Sequence, residues 1–296
     1  MKNFLLIADQ TSSSLSHLID RSFFFKNQIQ NNIFTPFLKN NFISLLFFEN
    51  STRTKFSFEV AAKNLGAHVL NFDPQVSSLE KGETLEDTLR TLKSIGVKTA
   101  VIRHSDDELI ERIASNLDLA LVNAGAGKKE HPTQALLDYM TMVEHFGRSR
   151  ILKVGIVGDI LHSRVATSNF LFLKKFGHEV VFSGPKEFMP LYDHTYESLD
   201  SIVKSCDVIM MLRMQKERHH STFKTNDYLQ EFGLTIDRAK KMNSQSIILH
   251  PAPINWGIEL EDGIANLPQS RIFQQMENGV FARMAVLDSL SIKEGR

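Results

Sequence analysis

The chain has 296 residues, which is enough for two domains of ordinary size. Its 34 basic and 34 acidic side chains cancel, so no chain-wide field favours nucleic acid or an anionic membrane, and we expect neither as a partner. A single cysteine excludes an internal disulfide and a cysteine-rich zinc site. The first apolar run is broken at Asp9, too early for a signal peptide or membrane span, so we expect a cytoplasmic protein.

Buried strands alternate with amphipathic helices in the first half of the chain. Short apolar runs predict strands at 42–48, 68–72, 99–103 and 119–123. Helical patterns lie around 58–65 and near 82–95, 106–115 and 131–146. In the first of these, an apolar stripe from Phe58 to Leu65 is followed by Gly66, which is well placed to end the helix. This alternation predicts a parallel sheet covered by helices, with ligands at the carboxyl ends of its strands.

The second half of the chain repeats the pattern. Further strands are predicted at 151–157, 179–183, 207–212 and 246–250, with helical segments between them. We therefore predict an α/β protein of two domains, each a parallel sheet flanked by helices, joined by long interdomain helices. The domains are expected at 1–133 and 134–276, with the boundary in the helix that begins near His131. The last helix, about 277–296, could pack on either domain, and we place it on the first.

The strongest local motif is FFENSTRTKFSFE, which contains the turn Ser51–Thr54. A strand ends at Glu49, the polar turn follows, and a helix then begins. Helix-start amides, hydroxyl groups and one guanidinium supply converging donors for a phosphate group. Ser and Thr before a helix are also ordinary N-caps, but the arginine at position 53 favours an anion site.

The STRT turn resembles the carbamoyl phosphate signature of the aspartate and ornithine carbamoyltransferases. Strings similar to the aspartate branch follow in the same order: SSLEKGETLEDT (77–88), HPTQALLD (131–138), LRMQKER (212–218) and HPAPINWGIEL (250–260). Because these motifs span both predicted domains, the chain is identified as a member of this family. The resemblance implies transfer of a carbamoyl group from carbamoyl phosphate to the amine of L-aspartate, in pyrimidine synthesis. No cofactor or metal is expected.

The resemblance assigns one set of residues to carbamoyl phosphate, which the first domain would bind. They are Ser51, Thr52, Arg53, Thr54, Arg103, His131, Gln134 and the backbone carbonyls of Ala252 and Pro253. Of these, Arg53, Thr54, Arg103 and His131 would be catalytic. His131 begins a helix, whose dipole disfavours the imidazolium, so a neutral ring could donate to the carbamoyl oxygen. Without the resemblance to this family, Arg103 would be interpreted as a solvated arginine after a strand, and His131 as a helix cap or a core residue.

A second set of residues is assigned to aspartate, which the second domain would bind. It comprises Arg164, Arg213 and Gln215, with Lys81 from the family's mobile loop. One guanidinium for each substrate carboxylate is the economical arrangement, although either arginine could be a surface charge. Lys81 alone would be interpreted as a solvated loop residue. The resemblance instead implies that it reaches the neighbouring subunit, which predicts a homotrimer with shared active sites and admits regulatory or dihydroorotase chains as further partners.

Three other functions are alternatives to this interpretation. The ornithine branch is expected to have a cysteine in an HCLP turn, whereas this chain has HPAP. A relative that uses an acylated ornithine is harder to exclude, because its substrate also lacks the cation. A non-catalytic scaffold is suggested by three departures from the family pattern: Ala126, Leu161 and Trp256 stand where aspartate, lysine and arginine are usual. His219 and His220 have no nearby third ligand and are expected to be solvated loop residues.

Overall fold

The computed structural model of the protein describes residues 1–215 and 225–291. The chain divides into two compact units, Met1–Met140 with Asn278–Arg296 (unit 1) and Thr141–Glu277 (unit 2). Each unit holds one parallel sheet flanked by helices, which confirms the predicted fold class. The division falls inside two helices, Pro132–Phe146 and Ile272–Ser291, so each of them continues from one unit into the other.

Unit 1 contains a four-stranded sheet. Its elements in chain order are α1 (Ser12–Gln30), β1 (Phe42–Phe47), α2 (Thr52–Asn64), β2 (His68–Phe72), α3 (Leu85–Ser94), β3 (Val97–His104), α4 (Leu109–Asn116), β4 (Ala120–Ala126) and α5 (Pro132–Phe146). Short 3-10 turns at Pro74–Val76 and Ser78–Lys81 separate β2 from α3. The strand order is β2-β1-β3-β4, and every neighbouring pair is parallel.

Three of the four strands of unit 1 form its core. β1, β3 and β4 are buried along nearly their whole length, as expected for a parallel sheet covered on both faces. Side chains from α3 and α4, among them Leu89 and Ile113, pack in the same apolar cluster as Ile102 and Leu121. β2 lies at the edge of the sheet and remains largely exposed. The polar groups that follow β1, β3 and β4 are therefore carried by a rigid support.

Helix α1 was not predicted from the sequence. Thr11 caps this helix by accepting the N–H of Ser14, and Leu15, Leu18 and Ile19 give it an apolar face. Its second half, with three consecutive phenylalanines, lacks that clear periodicity. The N-cap and the first apolar spacing were the signals that could have revealed it.

Unit 2 contains a five-stranded sheet. Its elements are β5 (Lys153–Val157), α6 (Arg164–Lys175), β6 (Glu179–Ser183), β7 (Thr195–Tyr196), α7 (Leu199–Ser205), β8 (Val208–Met211), α8 (Thr225–Phe232), α9 (Ile236–Ala239), β9 (Ile247–Leu249) and the first part of α10 (Ile272–Ser291). The strand order is β7-β6-β5-β8-β9, again parallel throughout. Within the described ranges, no helix is both long and apolar enough to cross a membrane.

Candidate active site

The carboxyl edge of the unit 1 sheet gathers most of the residues predicted for carbamoyl phosphate. β1 ends at Phe47, which is in register with Arg103 near the end of β3. The Ser51–Thr54 turn follows β1, and His131 follows β4. Because the strands are parallel and adjacent, their carboxyl ends meet at one edge, and these polar groups emerge there together.

The STRT turn has the features of an anion site. α2 begins at Thr52, and the side chain of the preceding Ser51 makes no capping hydrogen bond. The ordinary N-cap interpretation therefore does not hold for Ser51. Thr54 is only 8% exposed, whereas Thr52 and Arg53 are exposed to solvent. The N–H groups in the first turn of α2, with the positive end of its dipole, favour an anion at this position.

Arg103 is held by contacts on both sides. Its Nη1 donates to the carbonyl oxygen of Ala124 at 3.2 Å, and its Nε lies 3.3 Å from Oε2 of Glu49. The side chain is mostly buried, so Arg103 is not a freely solvated arginine. Glu49, directly after β1, was not among the predicted site residues. Its position next to the STRT turn was the signal, but a carboxylate after a strand is usually a surface charge.

His131 is 4% exposed and stands at the start of α5. Its carbonyl oxygen accepts the N–H of Gln134 at 3.0 Å, and Pro132 takes the first helical position, which suits a residue without an N–H. The preceding residue, Glu130, is also buried, and its carboxylate accepts the backbone N–H groups of Ile7 at 2.7 Å and Ala8 at 3.3 Å. The N-terminal segment therefore fixes the approach of the chain to His131.

Gln134 is oriented by a residue that the sequence analysis did not single out. Its Nε2 donates to Oδ1 of Asp138 at 2.8 Å, and both side chains are buried on α5. Because the amide nitrogen is directed to Asp138, the Oε1 oxygen is the atom that can accept a hydrogen bond from a ligand.

Three of the four residues predicted for aspartate follow strands at the carboxyl edge of the unit 2 sheet, whereas Lys81 lies in unit 1. Arg164 begins α6 after β5, and Arg213 follows β8, the neighbouring parallel strand. Gln215 joins the two loops, because its Nε2 donates to the carbonyl oxygen of His162 at 3.0 Å. A Cβ on Gly158, which has φ +131°, would lie 3.2 Å from the backbone of the β8 loop, so only glycine allows this close approach.

The HPAP turn follows β9 in the same unit. The Nδ1 of His250 accepts the N–H of Ala252 at 2.9 Å, and its Nε2 lies 3.4 Å from Oε1 of Glu259. Both His250 and Glu259 are buried. With Nδ1 acting as acceptor, the ring proton lies on Nε2 and faces the carboxylate. The dyad thus holds the backbone of Ala252, which the sequence analysis assigned together with Pro253.

Lys81 and the three departures from the family pattern lie at separate places. Lys81 ends the Ser78–Lys81 turn and is exposed. Ala126 is buried at the end of β4, and Leu161 is exposed in the loop after β5. Trp256 is 46% exposed beyond the HPAP turn.

Part of the LRMQKER motif lies outside the described residues. The structure describes its first four residues, 212–215, but not 216–218 or the neighbouring His219 and His220. Among the residues that are described, no three His, Cys, Asp or Glu side chains form a group that could hold a metal ion.

Two family models match consecutive parts of the chain. The model described as "Aspartate/ornithine carbamoyltransferase, carbamoyl-P binding domain" matches residues 2–144. The model described as "Aspartate/ornithine carbamoyltransferase, Asp/Orn binding domain" matches residues 151–290. The matches follow the order of the two units along the chain.

Curated relatives and solved structures agree with these matches. The chain is 46% identical to the aspartate carbamoyltransferase catalytic subunit of Listeria welshimeri, over all of this chain and 98% of that protein. It also resembles the aspartate transcarbamoylase of Trypanosoma cruzi, solved with carbamoyl aspartate and phosphate, at 29% identity and a TM-score of 0.90, covering 98% and 95% of the two chains. The catalytic subunit of M. Jannaschii aspartate transcarbamoylase matches at 29% identity and a TM-score of 0.90, covering 100% of both chains.

Proposed function

The chain belongs to the aspartate/ornithine carbamoyltransferase family, and we propose that it transfers the carbamoyl group of carbamoyl phosphate to the amine of L-aspartate. The products are N-carbamoyl-L-aspartate and phosphate, and the reaction serves pyrimidine synthesis. The observation that carries this proposal is the STRT turn and His131 at one sheet edge, within a chain that full-length relatives of the aspartate branch match.

Carbamoyl phosphate is assigned to the unit 1 sheet edge. Arg53 and Thr54 bind the phosphate, and Ser51 and Thr52 add amides and hydroxyls. The hydroxyl of Ser51 makes no capping hydrogen bond to α2, and both it and the first-turn amides of the helix support this role. A dianionic phosphate gains most from such a set, because charge-assisted hydrogen bonds are roughly twice as strong as neutral ones.

The carbonyl oxygen of the substrate is assigned to Thr54, Arg103 and His131. Their burial and the ion pair of Arg103 with Glu49 support fixed donors, which need no reorganisation as charge develops on the oxygen. The carbamoyl NH2 is assigned to Oε1 of Gln134 and to the backbone carbonyls of Ala252 and Pro253. The bond from Gln134 to Asp138 supports the orientation that this assignment requires.

Aspartate is assigned to Arg164 and Arg213, one guanidinium for each carboxylate, with Gln215 and Lys81 assisting. Support comes from the adjacent parallel strands β5 and β8 and from the hydrogen bond of Gln215 to the loop before Arg164.

In the reaction, the unprotonated amine attacks the carbamoyl carbon and forms a tetrahedral intermediate. The carbon–oxygen bond to phosphate then breaks, and the departing phosphate takes the proton that the amine loses.

A homotrimer with shared sites is the assembly that we propose. An exposed apolar surface on α2, β2 and the following loop supports self-association, since Phe56 and Val60 are about half exposed and Val76 is 82% exposed. Lys81 lies five residues beyond Val76 and is exposed, so an interface here could deliver it to a neighbouring chain. The relatives are named "catalytic subunit", which supports our proposal that this chain is the catalytic chain of an assembly that can include regulatory or dihydroorotase chains.

Mixed assemblies test the shared site. Lys81→Ala and His131→Ala homo-oligomers should each be nearly inactive. Dissociating and reassembling them together should restore activity, because some interfaces then combine an intact Lys81 with an intact His131. If mass spectrometry shows subunit exchange and no activity returns, Lys81 acts within its own chain.

A single assay tests the reaction. Phosphate release from carbamoyl phosphate should require aspartate and should not occur with ornithine, N-acetylornithine or no acceptor. Release with N-acetylornithine would indicate the acylated-ornithine alternative, and no release with any acceptor would indicate a non-catalytic scaffold. The ornithine alternative is disfavoured because the only cysteine, Cys206, is buried after α7 and not in the HPAP turn.

A further inference from the structure

Arg283, on α10, is a buried cation in unit 1. It is not among the residues assigned to either substrate. Its side chain is 3% exposed. Its Nη1 donates to Oγ of Ser57 at 2.9 Å, and its guanidinium carbon lies 5.1 Å from the centre of the Phe58 ring. A buried cation is costly unless an opposite charge accompanies it, so the nearby anion is informative.

That anion is Asp138, which is fully buried on α5 and directly follows Leu137, a residue that packs with the Arg283 guanidinium beside Gly279. Burial lowers the pKa of Arg283 to about 10, and the negative charge of Asp138 acts in the opposite direction. The guanidinium therefore stays charged at neutral pH and favours the ionised form of Asp138. A buried carboxylate that loses its cation tends to take up a proton instead.

We propose that Arg283 is a positioning residue which, through ionised Asp138, determines which atom of the Gln134 amide faces carbamoyl phosphate. The inference rests on the proposed function. An ionised carboxylate can only accept hydrogen bonds, so Asp138 must receive the Nε2 of Gln134, at 2.8 Å. Oε1 is then left to accept from the carbamoyl NH2. A protonated Asp138 could donate to Oε1, and the reversed amide would present a donor to a donor.

Gly279 on α10 leaves room for this guanidinium because it has no side chain. A Cβ on Gly279, one turn before Arg283, would lie 2.4 Å from Nη1 of Arg283 and 3.2 Å from Cδ2 of Leu137. Glycine inside a helix is otherwise unfavourable by about 1 kcal/mol relative to alanine. Gly279→Ala should therefore displace the guanidinium without removing its charge.

The test compares carbamoyl phosphate with inorganic phosphate, which has no amide for Gln134. In calorimetry, Arg283→Met should lose about 3- to 10-fold in affinity for carbamoyl phosphate, the usual effect of one hydrogen bond. Its affinity for inorganic phosphate should be unchanged. In a Gln134→Ala background, Arg283→Met should cause no further loss, because Arg283 acts through Gln134.

Arg21→Met is the matched control. Arg21 pairs with Asp288, also on α10, at 2.7 Å, so the variant removes an Arg–Asp pair from the same helix without touching Gln134. It should lower stability and leave the ratio of the two affinities unchanged. If wild-type protein binds no carbamoyl phosphate, the proposed function fails, which is distinct from a failure of this inference.

Equal loss of both ligands in Arg283→Met, or an additive loss in the Gln134→Ala background, would overturn the proposal. It would mean that Arg283 only holds α10 against α2 and α5. Should Arg283→Met fail to fold, Gly279→Ala decides the question. Selective loss of carbamoyl phosphate affinity in that variant supports the proposal, and a wild-type ratio overturns it.

Discussion

The residues assigned to the carbamoyl group in unit 1 and those assigned to the aspartate carboxylates in unit 2 differ in how deeply they are buried. In unit 1, His131 and Gln134 are almost inaccessible, and neighbouring backbone and side-chain groups fix their surroundings. In unit 2, Arg164 and Arg213 are only partly buried. The residues assigned to the carbamoyl group are thus enclosed within unit 1, whereas the guanidiniums assigned to aspartate in unit 2 are more open to water.

This difference suits two different tasks. Buried donors in fixed positions stabilise charge that develops during a reaction, because they need no rearrangement. Partly exposed guanidiniums suit carboxylates that arrive from water, since Arg offers a planar pair of donors to each. Substitutions in unit 1 should therefore lower the rate or the binding of carbamoyl phosphate, whereas those in unit 2 should raise the KM for aspartate.

The largest effect is expected for His131→Ala. Loss of one donor to the developing oxyanion should lower kcat by about 100- to 1000-fold. Steady-state kinetics at saturating substrates measures this, with His17→Ala, an exposed histidine on α1, as the control. A normal kcat in His131→Ala would remove the main distinction between the two edges.

Arg164→Ala should have the next largest effect and should fall on aspartate. Loss of a charge-assisted pair, about 1.5 to 3 kcal/mol, predicts a rise of about 10- to 150-fold in the KM for aspartate. The affinity for carbamoyl phosphate should stay the same in calorimetry. Arg150→Ala removes an exposed unit 2 arginine, paired with Asp207, and serves as the control. Equal weakening of both substrates would show that Arg164 supports the fold of the edge.

Glu49→Gln should have a smaller effect on the unit 1 edge. The carboxamide has no negative charge, so the contact at 3.3 Å from the Nε of Arg103 is no longer an ion pair, but Ala124 still accepts from Nη1. Partly exposed ion pairs are weak, so kcat should fall by only about 3- to 10-fold. A rate equal to that of wild type would mean that Ala124 alone holds Arg103.

The smallest effect concerns stability and His178, before β6. Burial lowers the pKa of His178 below the ordinary value of a histidine, and its Nδ1 accepts the N–H of Leu152 at 3.1 Å. The folded form therefore binds fewer protons than the unfolded one, and the stabilising contribution is complete above the unfolded pKa and decreases as pH falls through it. Between about pH 7.5 and 5.5, the unfolding temperature should fall more in wild type than in His178→Asn. Parallel curves would contradict this.

Much of the fold could be predicted because its signals are local. The run Glu179–Ser183 coincides with β6, and His68–Phe72 with β2. The two-residue strand β7 was missed, because so short a segment has no periodicity to detect. The STRT turn was predictable for the same local reason, since one strand end and one helix start supply all its donors.

The supports of the candidate site were not predictable in this way. Asp138 lies on an apolar helix, and Arg283 is far from it in sequence, so nothing local indicates that they interact. Glu130 likewise bonds to backbone amides at Ile7 and Ala8, which only the folded chain brings near. Such contacts depend on tertiary packing, and the sequence shows only a charged residue whose usual place is the surface.

Binding of carbamoyl phosphate to Arg53→Ala and to Arg213→Ala, measured by calorimetry, tests most directly whether the two edges serve different substrates. Arg53→Ala should lose about 10- to 150-fold in affinity, as expected for one charge-assisted pair, and Arg213→Ala should bind as wild type does. Unchanged affinity in Arg53→Ala, or an equal loss in both variants, would contradict the assignment of carbamoyl phosphate to unit 1 and aspartate to unit 2.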